Sequence, residues 1–92
     1  VYQESTASVA DENWFEDVLL YPNPVKDNLT IKVPSHLLGA KATIYSLLGQ
    51  ELNSFVQKEY TMNVNLSHYK KGVYILRFEN NNKLATYKIF KM

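Results

Sequence analysis

Apolar and polar residues alternate along several short runs of this sequence, the pattern of strands that bury one face. The alternation is clearest at residues 29–33, 42–45, 62–66 and 85–90, while residues 73–78 are apolar on both faces, as a central strand would be. Two further runs cover residues 15–21 and 52–56. Helical periodicity is absent, and residues 36–38 predict one helical turn at most. The pattern therefore predicts a seven-stranded antiparallel β-sandwich.

The same alternation predicts which side chains face the core. Alternation breaks at residues 53–55, which indicates a β-bulge there. The side chains expected to point mainly inward are Leu29, Ile31, Val33, Ala42, Ile44, Leu52, Val64, Leu66, Val73, Ile75, Tyr87 and Ile89.

Turn residues separate the strands. Pro22-Asn23-Pro24 ends the first strand and stiffens the turn that follows. Gly49 lies in a hairpin connection and Gly72 opens the sixth strand, so we expect the backbone to require glycine at both positions. Asn80-Asn81-Asn82 predicts a tight turn, because Asn tolerates left-handed backbone conformations.

The length of 92 residues suits one domain. Residues 1–14 are mostly small, polar and acidic, which predicts a linker, and residues 15–92 form the predicted domain. Since the chain begins with Val1 rather than Met, we expect it to derive from a longer protein.

The net charge of +1 favours no class of partner, but the charges are unevenly placed. Residues 1–25 contain five acidic residues and no Lys or Arg, whereas residues 83–92 contain three lysines and no acid. Either both ends are simply solvated, or the basic end is presented to a partner. A nucleic-acid interface is not expected, because the ten basic residues are balanced by nine acidic ones and the tyrosines are dispersed.

The sequence contains no recognisable catalytic motif. The chain has no cysteine, and His36 and His68 are far apart in sequence and belong to no metal-binding motif. Ser67 and His68 would point to opposite faces of an extended chain. Three isolated glycines form no phosphate-binding loop. We therefore expect no enzyme activity, no cofactor and no metal site.

Three groups of residues in fixed order resemble a known family. They are LYPNPV (residues 20–25) followed by LTI (29–31), then IYSLLGQEL (44–52), then LS (66–67) leading to GVYILRF (72–78); the chain ends on YKIFKM (87–92). The combination resembles the type A C-terminal sorting domain of the type IX (Por) secretion system of Bacteroidetes, over residues 19–92. The family often has Asp where Ser46 stands, and Ser can also cap that turn.

The resemblance implies a seven-stranded immunoglobulin-like sandwich that acts as a non-catalytic export signal for a covalently linked upstream cargo. It implies passage through the periplasm and across the outer membrane to the cell surface or the medium. The implied partners are an outer-membrane translocon, its shuttle protein and a cell-surface sortase. The sortase would remove the domain and leave the cargo attached or released.

We expect two elements to be read by the shuttle or translocon. One is the turn Tyr21, Pro22, Asn23 and Pro24. The other is the basic terminal strand with Lys83, Lys88, Ile89, Phe90 and Lys91. Sortase cleavage is expected between Thr6 and Phe15, where the chain is polar and rich in small residues. The alternative is an adhesive or carbohydrate-binding module, which should expose an aromatic platform. Trp14, the single Trp, lies at the linker boundary, where we expect it to pack over the edge of the sandwich instead.

Overall fold

The computed structural model describes residues 18–92, so the predicted linker, Trp14 and the cleavage segment lie outside the described residues. Within this part of the chain there are seven strands and one short 3-10 turn, Ser35–Leu37. No helix in residues 18–92 is long and apolar enough to cross a membrane. The strands are β1 (Leu19–Tyr21), β2 (Asn28–Lys32), β3 (Lys41–Ser46), β4 (Glu51–Val56), β5 (Thr61–Asn65), β6 (Gly72–Asn80) and β7 (Lys83–Lys91).

The strands form two antiparallel sheets. One has three strands in the order β1-β2-β5, and the other has four in the order β4-β3-β6-β7. β6 lies between β3 and β7, in agreement with its apolar residues on both faces. β7 pairs with β6 along its whole length, from Lys83 opposite Asn80 to Lys91 opposite Gly72, and forms one edge of its sheet.

Both sheets contribute to a single core, because each strand turns its alternate apolar side chains toward the other sheet. Phe78 is the largest fully buried side chain, and the ring of Tyr87 contacts it edge-on at 6.0 Å between centroids. The fully or nearly fully buried apolar side chains are Val25, Leu29, Ile31, Val33, Leu37, Ala40, Ala42, Ile44, Val64, Leu66, Leu76, Phe78, Ala85 and Ile89.

Three of the predicted inward positions are wrong. On β6 the buried residues are Leu76 and Phe78, so Val73 and Ile75 belong to the outer face of the sheet. A strand that is apolar on both faces gives no alternation from which to choose the inner one. Leu52 is exposed, on the edge strand β4.

The predicted bulge is present, but it lies one residue earlier than residues 53–55. Ile44 pairs with Asn53 and Tyr45 with Glu51, which leaves Leu52 as the extra residue of β4. An extra residue reverses the alternation on one side of the bulge. This shift explains why the simple period placed Leu52 in the core.

The turns follow the residues that the sequence offers. Asn81 and Asn82 have φ angles of +49° and +70°, the left-handed values that Asn tolerates. Gly49 closes the β3–β4 hairpin at φ +91°. The peptide bonds before Pro22 and Pro24 are both cis.

Candidate recognition surface

The outer edge of β7 is the structural basis of the candidate site. Since β7 pairs with β6 on one side only, the backbone groups of every second residue point away from the sheet. Phe90 is one of these outward residues, because its N–H and its carbonyl both bond to the segment before β2 rather than to β6. By alternation, Lys88, Thr86 and Leu84 also point their backbone groups outward.

Asn23 covers part of this edge with its side chain. Its Oδ1 accepts a hydrogen bond from the N–H of Phe90 at 2.8 Å, and its Nδ2 donates to the carbonyl of Lys88 at 3.1 Å. The side-chain amide thus makes the two bonds that a peptide group of a neighbouring strand would make. Asn23 is 65 positions before Lys88 in sequence, and its two bonds hold the terminal strand in place.

Val25 continues the same coverage with its backbone. Its N–H donates to the carbonyl of Phe90 at 2.7 Å, and its carbonyl accepts from the N–H of Met92 at 3.0 Å, which makes a parallel bridge to Lys91. The Val25 side chain is fully buried. The turn at residues 21–24 and the terminal strand, which the sequence suggested as two recognition elements, therefore form one continuous surface.

The exposed members of this surface are identifiable from the structure. Tyr21, Pro22 and Pro24 are exposed in the turn, and Lys88 and Phe90 are exposed on the outer face of β7. Phe90 lies opposite Val73 on β6, and Lys88 lies opposite Ile75.

Other residues proposed from the sequence have different positions. The Ile89 side chain is fully buried in the core, as alternation predicted, so it is not part of the exposed surface. Lys91 is almost buried, and its Nζ donates to the carbonyl of Met92 at 2.9 Å. Lys83 and Lys88 are five positions apart on one strand, so alternation directs them to opposite faces. The terminal lysines consequently do not form a single basic face.

Sequence reasoning missed the outer face of the four-stranded sheet beside Lys88 and Phe90. There the Arg77 guanidinium lies over the Tyr45 ring, 4.8 Å from its centroid, and its Nη2 donates to the Tyr45 hydroxyl. Val73 and Ile75 lie on the same face, half-buried. The available signal was the run of residues 73–78, in which apolar residues occupy both faces.

The part of the β7 edge before Lys88 is open. Among residues 18–92, no backbone bond reaches the outward groups of Leu84 and Thr86 or the outward N–H of Lys88. These groups are a template on which an extended chain can add as a further strand. From the Lys88 carbonyl to the end of the strand, the outward backbone groups are already bonded to Asn23 and Val25. Strand addition is therefore limited to residues 84–88.

Residues 18–92 contain no group of three His, Asp or Glu side chains placed to hold a metal ion. His68 lies edge-on to Tyr69, with 5.4 Å between ring centroids, and the carbonyl of His36 accepts a bond from Asn80. Burial raises the pKa of the Tyr87 phenol above its ordinary value. The pKa of Tyr69 is also raised, mainly by burial and to a smaller extent by its electrostatic interaction with Tyr74.

These observations define a small all-β domain whose distinctive exposed chemistry is the edge of its last strand. The chain belongs to the family of secretion-system C-terminal sorting domains: the family model matches residues 19–92, from the first residue of β1 onward, and so spans all seven strands. A comparison with curated proteins finds no match. The family identifies the chain as a sorting signal of type IX secretion, which interacts with that secretion machinery and directs export to the cell surface or the extracellular space.

Proposed function

We propose that this domain is the folded signal by which an outer-membrane translocon and its shuttle protein select an upstream cargo for export. In this proposal it is an immunoglobulin-like sandwich that carries no catalytic group of its own. A cell-surface sortase then removes it, and the cargo is attached to the surface or released.

One observation carries the proposal. The side chain of Asn23 and the backbone of Val25 bond to residues 88–92, so the turn and the terminal strand exist as one surface only in the folded domain. A receptor that binds this surface does not bind the domain in its unfolded form, which contains the same residues but not their arrangement. Recognition of a shape in this way requires no catalytic residue.

The contacts available to a receptor are specific. Tyr21, Pro22 and Pro24 offer an exposed aromatic and apolar turn, and Phe90 adds a second aromatic ring at the strand. Lys88 is the exposed cation of this surface. The open backbone groups at residues 84–88 allow the receptor to add a strand, which supplies affinity from main-chain bonds.

Charge recognition is tested by changing Lys83, Lys88 and Lys91 to Gln in a fusion of the domain to a secreted reporter. Lys88→Gln alone should reproduce most of the loss of secretion, because Lys88 is exposed on the proposed surface. Its folding cost should be below about 0.5 kcal/mol. Lys58→Gln, on the exposed segment between β4 and β5, is the matched control. If the folded triple variant is secreted at the wild-type rate, recognition rests on shape and backbone alone.

Processing is tested by mass spectrometry of the fragment released from the cell surface. We expect its new N-terminus to lie between Thr6 and Phe15, ahead of β1, since an extended polar segment enters a protease cleft most readily. A cut within residues 25–92 would contradict both the cleavage site and the domain boundary.

The outer sheet face also supports a second candidate function, an adhesive or carbohydrate-binding module. Tyr45 and Phe90 lie on this face, and aromatic rings are the side chains that stack on sugars. A glycan array with the purified chain tests this second function. Glycan binding that is lost in Tyr45→Ala would show that the outer sheet face binds carbohydrate, whereas no binding would exclude it.

A further inference from the structure

One end of the described part of the chain exposes large apolar side chains. The tip of the β3–β4 hairpin carries Leu47, 64% exposed, and Leu48, 97% exposed. Met92 is 59% exposed at the same end. Isolated exposed apolar residues are common on protein surfaces, but two adjacent leucines on a protruding turn form a compact apolar point.

Strand pairing places three lysines at the same end of the molecule as this point. Ser46, the last residue of β3, pairs with Tyr74 on β6, and Gly72 pairs with Lys91. Residues 47–48 and residues 70–71 therefore project from the same end of the sheet. The bridge from Val25 to Lys91 brings Lys26 to this end beside Met92.

The hairpin holds its leucines away from the body of the domain. The N–H of Ser46 donates to the carbonyl of Gln50 at 2.9 Å, and the N–H of Gly49 donates to the carbonyl of Ser46 at 3.0 Å. The Ser46 hydroxyl also accepts a bond from the N–H of Gln50 at 3.2 Å. The neighbouring loop is fixed by the Tyr74 hydroxyl, which donates to the carbonyl of Lys70 at 2.6 Å.

We propose that this end, defined by Lys26, Leu47, Leu48, Lys70, Lys71 and Met92 and here called the leucine tip, docks on an anionic lipid bilayer. Leu47 and Leu48 enter the boundary between headgroups and acyl chains, while the lysines contact the headgroups. Lipid interfaces bind this combination of an inserted apolar point and surrounding cations.

The geometry and charges fit this occupant. Leu47 and Leu48 are the two central residues of the turn that the bond from the Gly49 N–H to the Ser46 carbonyl closes, so their side chains are the foremost apolar groups of the hairpin. Among the described side chains at this end, Lys26, Lys70 and Lys71 are exposed cations and the acidic side chains are Asp27 and Glu51, which leaves an excess of positive charge on the side chains. A fluid bilayer accepts a narrow, rigid point without a matching pocket, whereas a protein partner would need one.

Membrane docking at the leucine tip is compatible with strand addition at residues 84–88. The open part of the β7 edge begins at Leu84, beside the β6–β7 turn, which lies at the opposite end of the sheet from the hairpin. A receptor that adds a strand at residues 84–88 therefore does not compete with lipid at the leucine tip.

The test is flotation of the 92-residue chain with vesicles of phosphatidylcholine alone or with phosphatidylglycerol added. We expect partitioning only into the anionic vesicles, weaker at high salt. Each lysine near an anionic surface contributes about fivefold to partitioning, so Lys70→Gln with Lys71→Gln should lower it about 25-fold. Leu47→Ser with Leu48→Ser should lower it at least about tenfold, from the apolar area lost.

Matched controls come from the opposite end of the molecule. Lys41→Gln with Lys58→Gln removes two exposed cations there, and Leu84→Ser removes one exposed apolar side chain. Neither control should change partitioning more than about twofold per site. Circular dichroism and thermal melts confirm that each variant is folded.

Equal binding to neutral vesicles, no binding at all, or equal effects of tip and control variants would overturn the proposal. Reporter secretion that depends on Leu47 and Leu48 without vesicle binding would instead assign the tip to a protein partner.

Discussion

The amide side chain of Asn23 occupies the place of a neighbouring strand beside Phe90, accepting its N–H at 2.8 Å while donating to the carbonyl two residues earlier. One short polar side chain thus couples the turn after β1 to the last strand of the chain. This contact unites in space two elements that are far apart in sequence.

The first prediction concerns this contact. Asn23→Ala removes two hydrogen bonds and should lower the free energy of unfolding by about 1–2 kcal/mol, at the low end because both bonds are exposed to water. Urea denaturation measures this loss, and hydrogen exchange at the Phe90 N–H should accelerate. Asn63→Ala is the control, because it removes one bond from the Thr30 hydroxyl on the other sheet. Unchanged exchange at Phe90 would show that Asn23 does not protect the strand.

The second prediction concerns Gly49 and Gly72, at φ +91° and +154°. A Cβ added at either position meets nothing within 4 Å, so any cost must come from backbone strain. Gly49→Val and Gly72→Val should each cost about 1–3 kcal/mol in thermal or urea unfolding. Gly49→Asn should cost less, since Asn tolerates left-handed φ, whereas Asn at position 72 should bring no such relief. Wild-type stability in both valine variants would contradict the backbone requirement.

The third prediction concerns Tyr87, whose phenol pKa is raised by burial. In the unfolded chain the phenol ionises near pH 10, whereas in the folded domain it stays protonated to higher pH. The unfolded state therefore loses protons first, and stability should fall as pH rises above about 10, by up to about 1.4 kcal/mol per pH unit from this group. Urea denaturation at pH 8, 10 and 11 measures the slope. In Tyr87→Phe the free energy of unfolding should fall less steeply with pH. An identical slope would show that Tyr87 is not the group responsible.

The fourth prediction concerns the open edge at residues 84–88. Thr86→Pro removes an N–H that points away from β6, so the domain should remain folded while strand addition is blocked. Tyr87→Pro is the contrasting variant. It removes an N–H bonded to β6 and should cost about 3 kcal/mol or more. A folded Thr86→Pro variant that is secreted normally would exclude strand addition at this edge.

Much of the fold follows from local sequence signals. Alternation predicted the buried faces of β2, β3, β5 and β7, and Asn81 and Asn82 have the left-handed turn that Asn permits. The inner face of β6 was not predictable, because Val73 and Ile75 are as apolar as the residues that are buried. In β4 the extra residue at the bulge, Leu52, interrupts the alternation, so the period of two placed Leu52 on the wrong face.

The candidate site was predictable in its parts but not in its assembly. The turn at residues 21–24 and the terminal strand were both singled out from sequence, yet no local pattern shows that Asn23 bonds to β7. That contact depends on how the two sheets stack, which is a tertiary property. The burial of Ile89 was predicted from alternation, but that of Lys91 was missed, since its charge and its position near the end of the strand say nothing of what covers it.

The central claim is that the surface joining the turn to the last strand is the export signal. The most direct measurement is the secretion rate of a fused reporter carrying Tyr21→Ser, Lys88→Gln and Phe90→Thr together. The matched control, Tyr60→Ser, Lys58→Gln and Val56→Thr, changes residues of similar exposure elsewhere: Tyr21 is 47% and Tyr60 54% exposed, and Phe90 is 44% and Val56 43% exposed. With both variants folded by circular dichroism, the account predicts that the first is retained in the cell and the control is secreted normally. Wild-type secretion of the first variant, or equal loss in both, would contradict it.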